Sequence, residues 1–553
     1  MSVDDARRRQ CDGRWWFGMG VATAILPAAA AYAQTVQQTF QLQQGWNAVF
    51  VEVDPDPSDL DILFDGLDVR SVWMRDESAT RAATSSCAVN EASLGCLPST
   101  QTGWRVWFPP GQPQRAIQTL TSLKGSSAYL VHSGETAEWT VSGRPSGLPI
   151  RWQKGFSLGG FHVVEDTDAA STFDEYLSPS SAFVHGSIFG VNADGTLSRV
   201  ADPRSERIAS GRGFWVQAAQ NTVYDGPISI DAQALRGIQL PPGTGLQFVR
   251  FENLDGLQRS VIISDSANLQ VAETSDASAG RTPLKWYDYG DGTSPQWRRL
   301  DHVQVALESN GDPGAAWTFR IGVDRSALRS TGTGPKGELN RVLTISDGYG
   351  YRRWVGVTTA GDTQDGLWIG DVTVSAIKSL TDLDTEPTPT SSPFVFRVIL
   401  HKSGAVYRLL REVVLVYRDS DGEYLLVTPS CPQLLEADEI LPRVSTANFS
   451  FAGDLPMAGG FESSLTASIL QGPVDPLNPF LHPFNPIHEE GFEATRNISL
   501  TFDPDGAGDP EWGVTRLAGT YDETVLGLHR NQIEARGRFE LRRVSPVDTL
   551  CGP

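Results

Sequence analysis

The chain has 553 residues, with 45 Lys plus Arg set against 66 Asp plus Glu, a formal net charge of −21 at pH 7. At roughly 100 to 200 residues per domain, that length implies about three or four domains, each with its own core. The acidic balance argues against nucleic acid or anionic lipid as a main partner, because counterion release needs clustered cations.

Arg7, Arg8, Arg9 and Arg14 precede the apolar stretch "WWFGMGVATAILPAAA", and Ala31-Tyr32-Ala33 supplies small residues for cleavage before Gln34. This pattern reads as a secretory signal over 1–33. The run is shorter than the roughly 18 to 20 apolar residues of a spanning helix, and no later run reaches that length. The mature chain is therefore expected to be exported to the extracellular space, cell surface or periplasm, with no transmembrane segment. Four cysteines remain beyond the signal: Cys87, Cys96, Cys431 and Cys551. In an exported chain they favour disulfides, with Cys87 and Cys96 closing a short loop and Cys431 and Cys551 tying the chain end to the last domain.

The stretch "QGWNAVFVEVDP" from Gln44 has a weaker echo in "KGFSLGGFHVVED" from Lys154. The first strand runs into Asp and Ser at a helix start, with Leu60, Leu63, Phe64 and Leu67 at helical spacing, and then into the strand "VRSVWMR". The second runs through "DAASTFDEYL" to the strand "GSIFGVN". Each copy closes with a glycine-opened strand, "KGSSAYLVHS" and "SGRGFWVQAA", and an aromatic residue 13 or 14 positions after the opening glycine. Gly45 to Gly125 spans 80 residues and Gly155 to Gly211 spans 56, a difference that fits a disulfide loop at 77–103. The reading is a duplicated β-rich module, 34–147 and 148–235, with Trp46 and Phe156 in equivalent core positions.

From 236 to 382 short alternating strands such as "LQFVRFENL", "RSVIISD", "AAWTFRIGVD" and "YRRWVGVTT" predict an immunoglobulin-like sandwich. Residues 266–313, rich in Ser, Asp and Gly, are expected as an excursion from it, and 381–392 as a linker held out of ladders by Pro387 and Pro389. Residues 393–553 open with a hairpin at Lys402-Ser403-Gly404 and predict a second sandwich or a barrel. The fold class is mainly β: duplicated modules with one short helix each, then two sandwich-type domains.

The segments "GWNAVFVEVDPDP", "GLWIGDVTVSAI", "FRVILHKSGAVYRLLREVVLVYR", "NPFLHPFNPIHEEGF" and "GTYDETVLGLHRNQIEARGRFELRRVS" together resemble large exported bacterial multidomain β proteins. The resemblance spans most of the mature chain, implies an exported β architecture and lends no catalytic residue.

The chain holds no GxSxG, HExxH or Walker motif and no dinucleotide-binding GxGxxG directly after a strand. Its densest set of soft and hard ligands is "FLHPFNPIHEEGFE", where His482, His488 and Glu489 suit a transition metal. "FDPDGAGDPEWG" places Asp503, Asp505 and Asp509 around two glycines, the alternating oxygens that calcium takes; "RDSDGE" does so less completely with Asp419, Asp421 and Glu423. Trp286, Tyr287 and Trp368 stand beside polar residues, as aromatic faces that grip sugar rings do. Taken together these features predict an exported, non-enzymatic structural or binding protein whose partners are cell-surface proteins or polysaccharide, with no assigned cofactor and calcium as the candidate. An extracellular hydrolase or a carbohydrate-binding protein acting on polysaccharide is the alternative.

Overall fold

A computed structural model of the chain describes residues 35–75, 103–183, 187–231, 237–265, 284–289, 295–325, 338–378, 386–418, 424–426, 440–446, 455–473, 493–504 and 509–550. Those residues are mainly β, with two short α-helices. The expected signal over 1–33 and Cys87, Cys96, Cys431 and Cys551 lie outside them.

The first segment comprises β1 (Val36–Leu42), β2 (Gly45–Val51), β3 (Val53–Pro55), α1 (Leu60–Leu63), β4 (Val69–Arg75), β5 (Trp104–Trp107), β6 (Ser127–Ser133) and β7 (Ala137–Pro145). They form two sheets, β2-β6-β4-β5 and β1-β7-β3. The second segment comprises β8 (Arg151–Trp152), β9 (Gly155–Gly159), α2 (Phe173–Leu177), β10 (Ile188–Val191), β11 (Leu197–Arg199), β12 (Phe214–Ala218) and β13 (Thr222–Val223). Its sheets are β9-β12-β10-β11 and β13-β8. Both four-stranded sheets thus have the same strand order relative to the chain.

Local chemistry sets the boundaries of the helices. The Asp59 carboxylate accepts from Asp61 N at 2.8 Å at the start of α1, and Thr172 and Glu175 form a reciprocal capping box on α2. The periodic residues through Leu67 suggest a longer first helix, but Gly66 takes φ +79° just beyond Leu63 and turns the chain away. The aromatics after the closing strands, Trp139 and Tyr224, are both buried. Trp139 stacks on Phe40 and Phe64 with centroids 4.8 and 4.7 Å away.

Trp46 and Phe156 depart from the core positions expected of them. Each follows a glycine in the left-handed region, Gly45 at φ +103° and Gly155 at φ +95°, on an outer strand of its sheet. Phe156 is 41 % exposed. Trp46 is half-buried against the His132 ring, and its N–H donates to Ala193 O at 2.8 Å across the seam between the two segments. A Cβ at Gly45 would sit 2.1 Å from that same carbonyl oxygen, so close approach there requires glycine. The seam continues through Phe50 N to Gly211 O and Gly213 N to Ala48 O, at 2.7 and 2.9 Å. Buried Glu52 meets His162 Nδ1 at 3.1 Å and Arg352 at 3.5 Å, linking both segments to the next domain.

That domain is a sandwich of β14 (Ile228–Asp231), β15 (Ile238–Leu240), β16 (Leu246–Asn253), β17 (Arg259–Asp265), β18 (Leu284–Asp288), β19 (Gln296–Arg299), β20 (His302–Leu307), β21 (Ala316–Val323), β22 (Glu338–Ser346) and β23 (Arg352–Ala360). The sheets are β14-β16-β21-β18-β19 and β15-β23-β22-β17-β20. The opening strand is split between them, and β15 runs parallel to β23, which is immunoglobulin-like topology with the β18–β19 hairpin inserted ahead of β20. The expected excursion at 266–313 therefore contains three strands. Each is only four to six residues long, too brief for alternation to stand out in a polar segment.

The last domain comprises β24 (Gly366–Ile377), β25 (Thr388–Ser403), β26 (Val406–Arg418), β27 (Tyr424–Leu426), β28 (Ile440–Thr446), β29 (Leu455–Gly459), β30 (Ser464–Gln471), β31 (Ala494–Phe502), β32 (Arg516–Leu526) and β33 (Ile533–Ser545). Eight of them close an antiparallel barrel, β24-β25-β26-β29-β30-β31-β32-β33 and back to β24. The choice between sandwich and barrel thus falls to the barrel. The segment expected as a linker at 381–392 already belongs to β25 from Thr388, where Pro389 pairs Ala376 beside a bulge. Trp368, Phe396, Phe502, Phe539 and Leu541 fill the interior. The outer wall carries exposed Arg536, Arg538, Glu540 and Arg542, which water solvates and a lipid-facing wall would not hold.

Sandwich and barrel are packed together. A Cβ at Gly322 would lie 2.5 Å from Pro510 Cγ. Arg543 Nη1 donates to both Asp362 carboxylate oxygens at 2.8 Å, and Gly243 N donates to one of them at 2.9 Å.

Candidate functional site

Strand alternation creates the site. On β16, β21 and β18 the inward phase carries Val249, Phe319 and Ile321 into the core, with Trp286 stacked 6.5 Å from Phe319. The opposite phase turns a row of different chemistry outward. Phe248 pairs Arg320 across β16 and β21, and Tyr287 pairs Trp297 across β18 and β19. The Arg320 guanidinium lies 5.1 Å from the Phe248 centroid, 5.1 Å from Tyr287 and 5.7 Å from Tyr289. Its Nε is buried without a hydrogen-bond partner, and no carboxylate among the described residues pairs with it. A cation desolvated against aromatic faces and lacking an anion is an incomplete electrostatic arrangement.

This row forms one wall of a cleft of about 520 Å³. The other wall comes from the barrel: Asp509, Glu511, Thr515, Arg516, Arg542 and Arg543. Arg543 is neutralised by Asp362. Arg516 Nη2 donates to Asp509 at 2.9 Å and its guanidinium lies over Trp512. Arg542 is 75 % exposed and reaches Glu540 at 3.3 Å. The cleft therefore offers cations, carboxylate and hydroxyl acceptors and aromatic faces within one space of ligand-pocket size.

The sequence-expected residues divide unevenly around this cleft. Tyr287 lines it. Trp286, one residue away, turns to the opposite face and packs on the sandwich core. Trp368 is wholly buried in the barrel, its Nε1 donating to Gln364 O at 3.0 Å, so it presents no face to a ligand. Both tryptophans are corrected from platform to core. Trp368→Ala is expected to lower stability by about 3 to 5 kcal/mol through the cavity it leaves, read as a lower denaturant midpoint.

Asp503 is bonded to Arg538 and Asp509 to Arg516, while Asp505 lies outside the described residues. Two of the three expected calcium ligands thus face guanidinium groups. His482, His488 and Glu489 also lie outside the described residues, as do Asp419, Asp421 and Glu423. Among the described residues no three His, Cys, Asp or Glu side chains gather as a metal site. Sequence reasoning missed Arg320, Phe248, Trp297, Arg516 and Arg542. The available signal was aromatic residues in the polar phase of alternating strands, as at Phe248.

No known protein family matches the chain, and no curated protein does. Among solved structures, two proteins of unknown function from Bacteroides ovatus are similar at 7 % and 11 % identity, each covering 57 % of this chain and 90 % and 93 % of their own, with a TM-score of 0.15. An Escherichia coli alpha-2-macroglobulin activated by porcine elastase is similar at 8 % identity over 80 % of this chain and 46 % of its own, with a TM-score of 0.14. Scores this low carry no argument about fold or function.

Proposed function

We propose that the chain is an exported, non-enzymatic β scaffold that binds a ligand in the cleft between its sandwich and its barrel. The signal over 1–33 directs export, and Cys87, Cys96, Cys431 and Cys551 form disulfides after it. The first two modules arose by duplication; their matching strand order and the left-handed glycines opening β2 and β9 support this reading. The observation that carries the binding role is Arg320, held over aromatic rings in an open cleft with no partner carboxylate among the described residues.

A hydrolase acting on polysaccharide is the second reading, because Asp509 and Glu511 line the same cleft and glycoside hydrolysis uses paired carboxylates. Incubating the mature chain with a panel of acidic and neutral polysaccharides separates the two. Retention on a polysaccharide without release of reducing ends is the expected result. Release of reducing ends that disappears in the double variant Asp509→Asn, Glu511→Gln would overturn it.

A further inference from the structure

We infer that the cleft recognises a carboxylate-bearing sugar, a hexuronic acid residue, with Arg320 receiving the carboxylate. This rests on the binding role proposed above and adds the chemistry of the ligand.

Three features of the cleft select that chemistry together. The Arg320 guanidinium lies 5.1 to 5.7 Å from three ring centroids, and its planar fork of donors suits a carboxylate better than a freely rotating ammonium does. It lines the open cleft and no carboxylate among the described residues forms an ion pair with it, so an incoming anion meets an uncompensated cation. Exposed Arg542 lies nearby as a second cation. These features by themselves would accept any small anion.

The remaining walls narrow the choice. Phe248, 44 % exposed, and half-buried Trp297 offer apolar faces of the kind that pack against a sugar ring. Asp509, Glu511 and Thr515 on the barrel side supply acceptors, which hydroxyl donors satisfy and an inorganic anion does not. A ligand with one carboxylate per ring, several hydroxyls and an apolar ring face meets all of these surfaces. The volume of about 520 Å³ accommodates a few sugar units.

The experiment is isothermal titration of residues 34–553 at fixed ionic strength. The probes are D-glucuronate, D-galacturonate, oligogalacturonate, a neutral cello-oligosaccharide and sulfate. The expected result is binding of the uronates, tighter for the oligomer if the natural source is a polymer and equal for the monomer if it is free sugar, with no heat from cello-oligosaccharide. Arg320→Ala should weaken uronate binding at least about tenfold, the scale of one lost charge-assisted bond. Trp297→Ala, on a four-residue strand at the sheet edge, should weaken it several-fold with the melting temperature unchanged, and it serves if Arg320→Ala does not fold. Binding of the neutral oligosaccharide with equal strength, binding of sulfate alone, or uronate binding indifferent to both variants overturns the inference while leaving a binding role in place. No heat with any probe overturns the inference as well. Reducing ends appearing in the cell would instead overturn the non-enzymatic role.

Discussion

Replacing Arg496 with alanine should destabilise the barrel by about 3 to 5 kcal/mol, because the change strands two carboxylates in a low-dielectric interior. Arg496 lies on β31 with its side chain only 7 % exposed; its Nη1 donates to Glu412 at 2.8 Å, and its Nε donates to Glu523. The Tyr521 hydroxyl donates to the second oxygen of Glu523 at 2.7 Å, so one guanidinium organises three strands. The measurement is the guanidinium chloride midpoint of the mature chain, followed by a barrel probe such as the buried Trp368. Converting Glu412 and Glu523 to glutamine in the Arg496→Ala background should recover much of the loss, since the stranded charges are then gone. A loss below about 1 kcal/mol would mean that water reaches the cluster and solvates it.

Alkaline pH should unfold the protein soon after the phenols begin to ionise. Burial pushes the Tyr129 hydroxyl up to about 12. It also raises Tyr176, Tyr224, Tyr351 and Tyr521 above the ordinary phenol value. In each case the folded pKa is the higher one, so the folded state holds more protons than the unfolded state once the pH passes about 10. The stability these neutral phenols contribute is complete below that pH and falls as pH rises toward the folded values. Each contributes a slope of about 1.4 kcal/mol per pH unit. Tyr176, Tyr224 and Tyr351 share one core, and three acting together remove about 8 kcal/mol within two units, the size of a typical domain stability. Phenolate absorbance and loss of near-ultraviolet circular dichroism should therefore rise together as that core unfolds, with Tyr129 and Tyr521 following the other two cores. Five phenolates titrating freely at ordinary pH with the fold intact would contradict the burial.

Much of the β character was legible from alternation alone. In "ARGRFELRRVS" the residues Gly537, Phe539 and Leu541 are buried while Arg536, Arg538, Glu540 and Arg542 face outward, which is the period-2 pattern read directly. The helix starts were legible for a similar reason, since Asp59 and Thr172 are capping residues placed just ahead of apolar ones. Closure of the barrel was not, because a sandwich and a barrel write the same alternation and differ only in whether β33 finds β24. Trp368 illustrates the limit at the site. A tryptophan between leucine and isoleucine beside "GD" reads equally as platform or core, and only its place on the inner wall decides. Arg320 was hidden because its rings come from β16 and from the end of β18, strands far apart in sequence that pairing register brings to either side of β21.

The closed ladder between β24 and β33 gives the barrel a folding order. Its first strand has no partner on one edge until its last strand has formed, so the largest loop-closure cost is met at the end of assembly. A chain shortened before Ile533 would keep two open edges, Gly366–Ile377 and Arg516–Leu526. Such edges pair with other molecules as readily as with their own missing strand. Loss of the final strand by proteolysis would thus convert a self-contained domain into a template for aggregation.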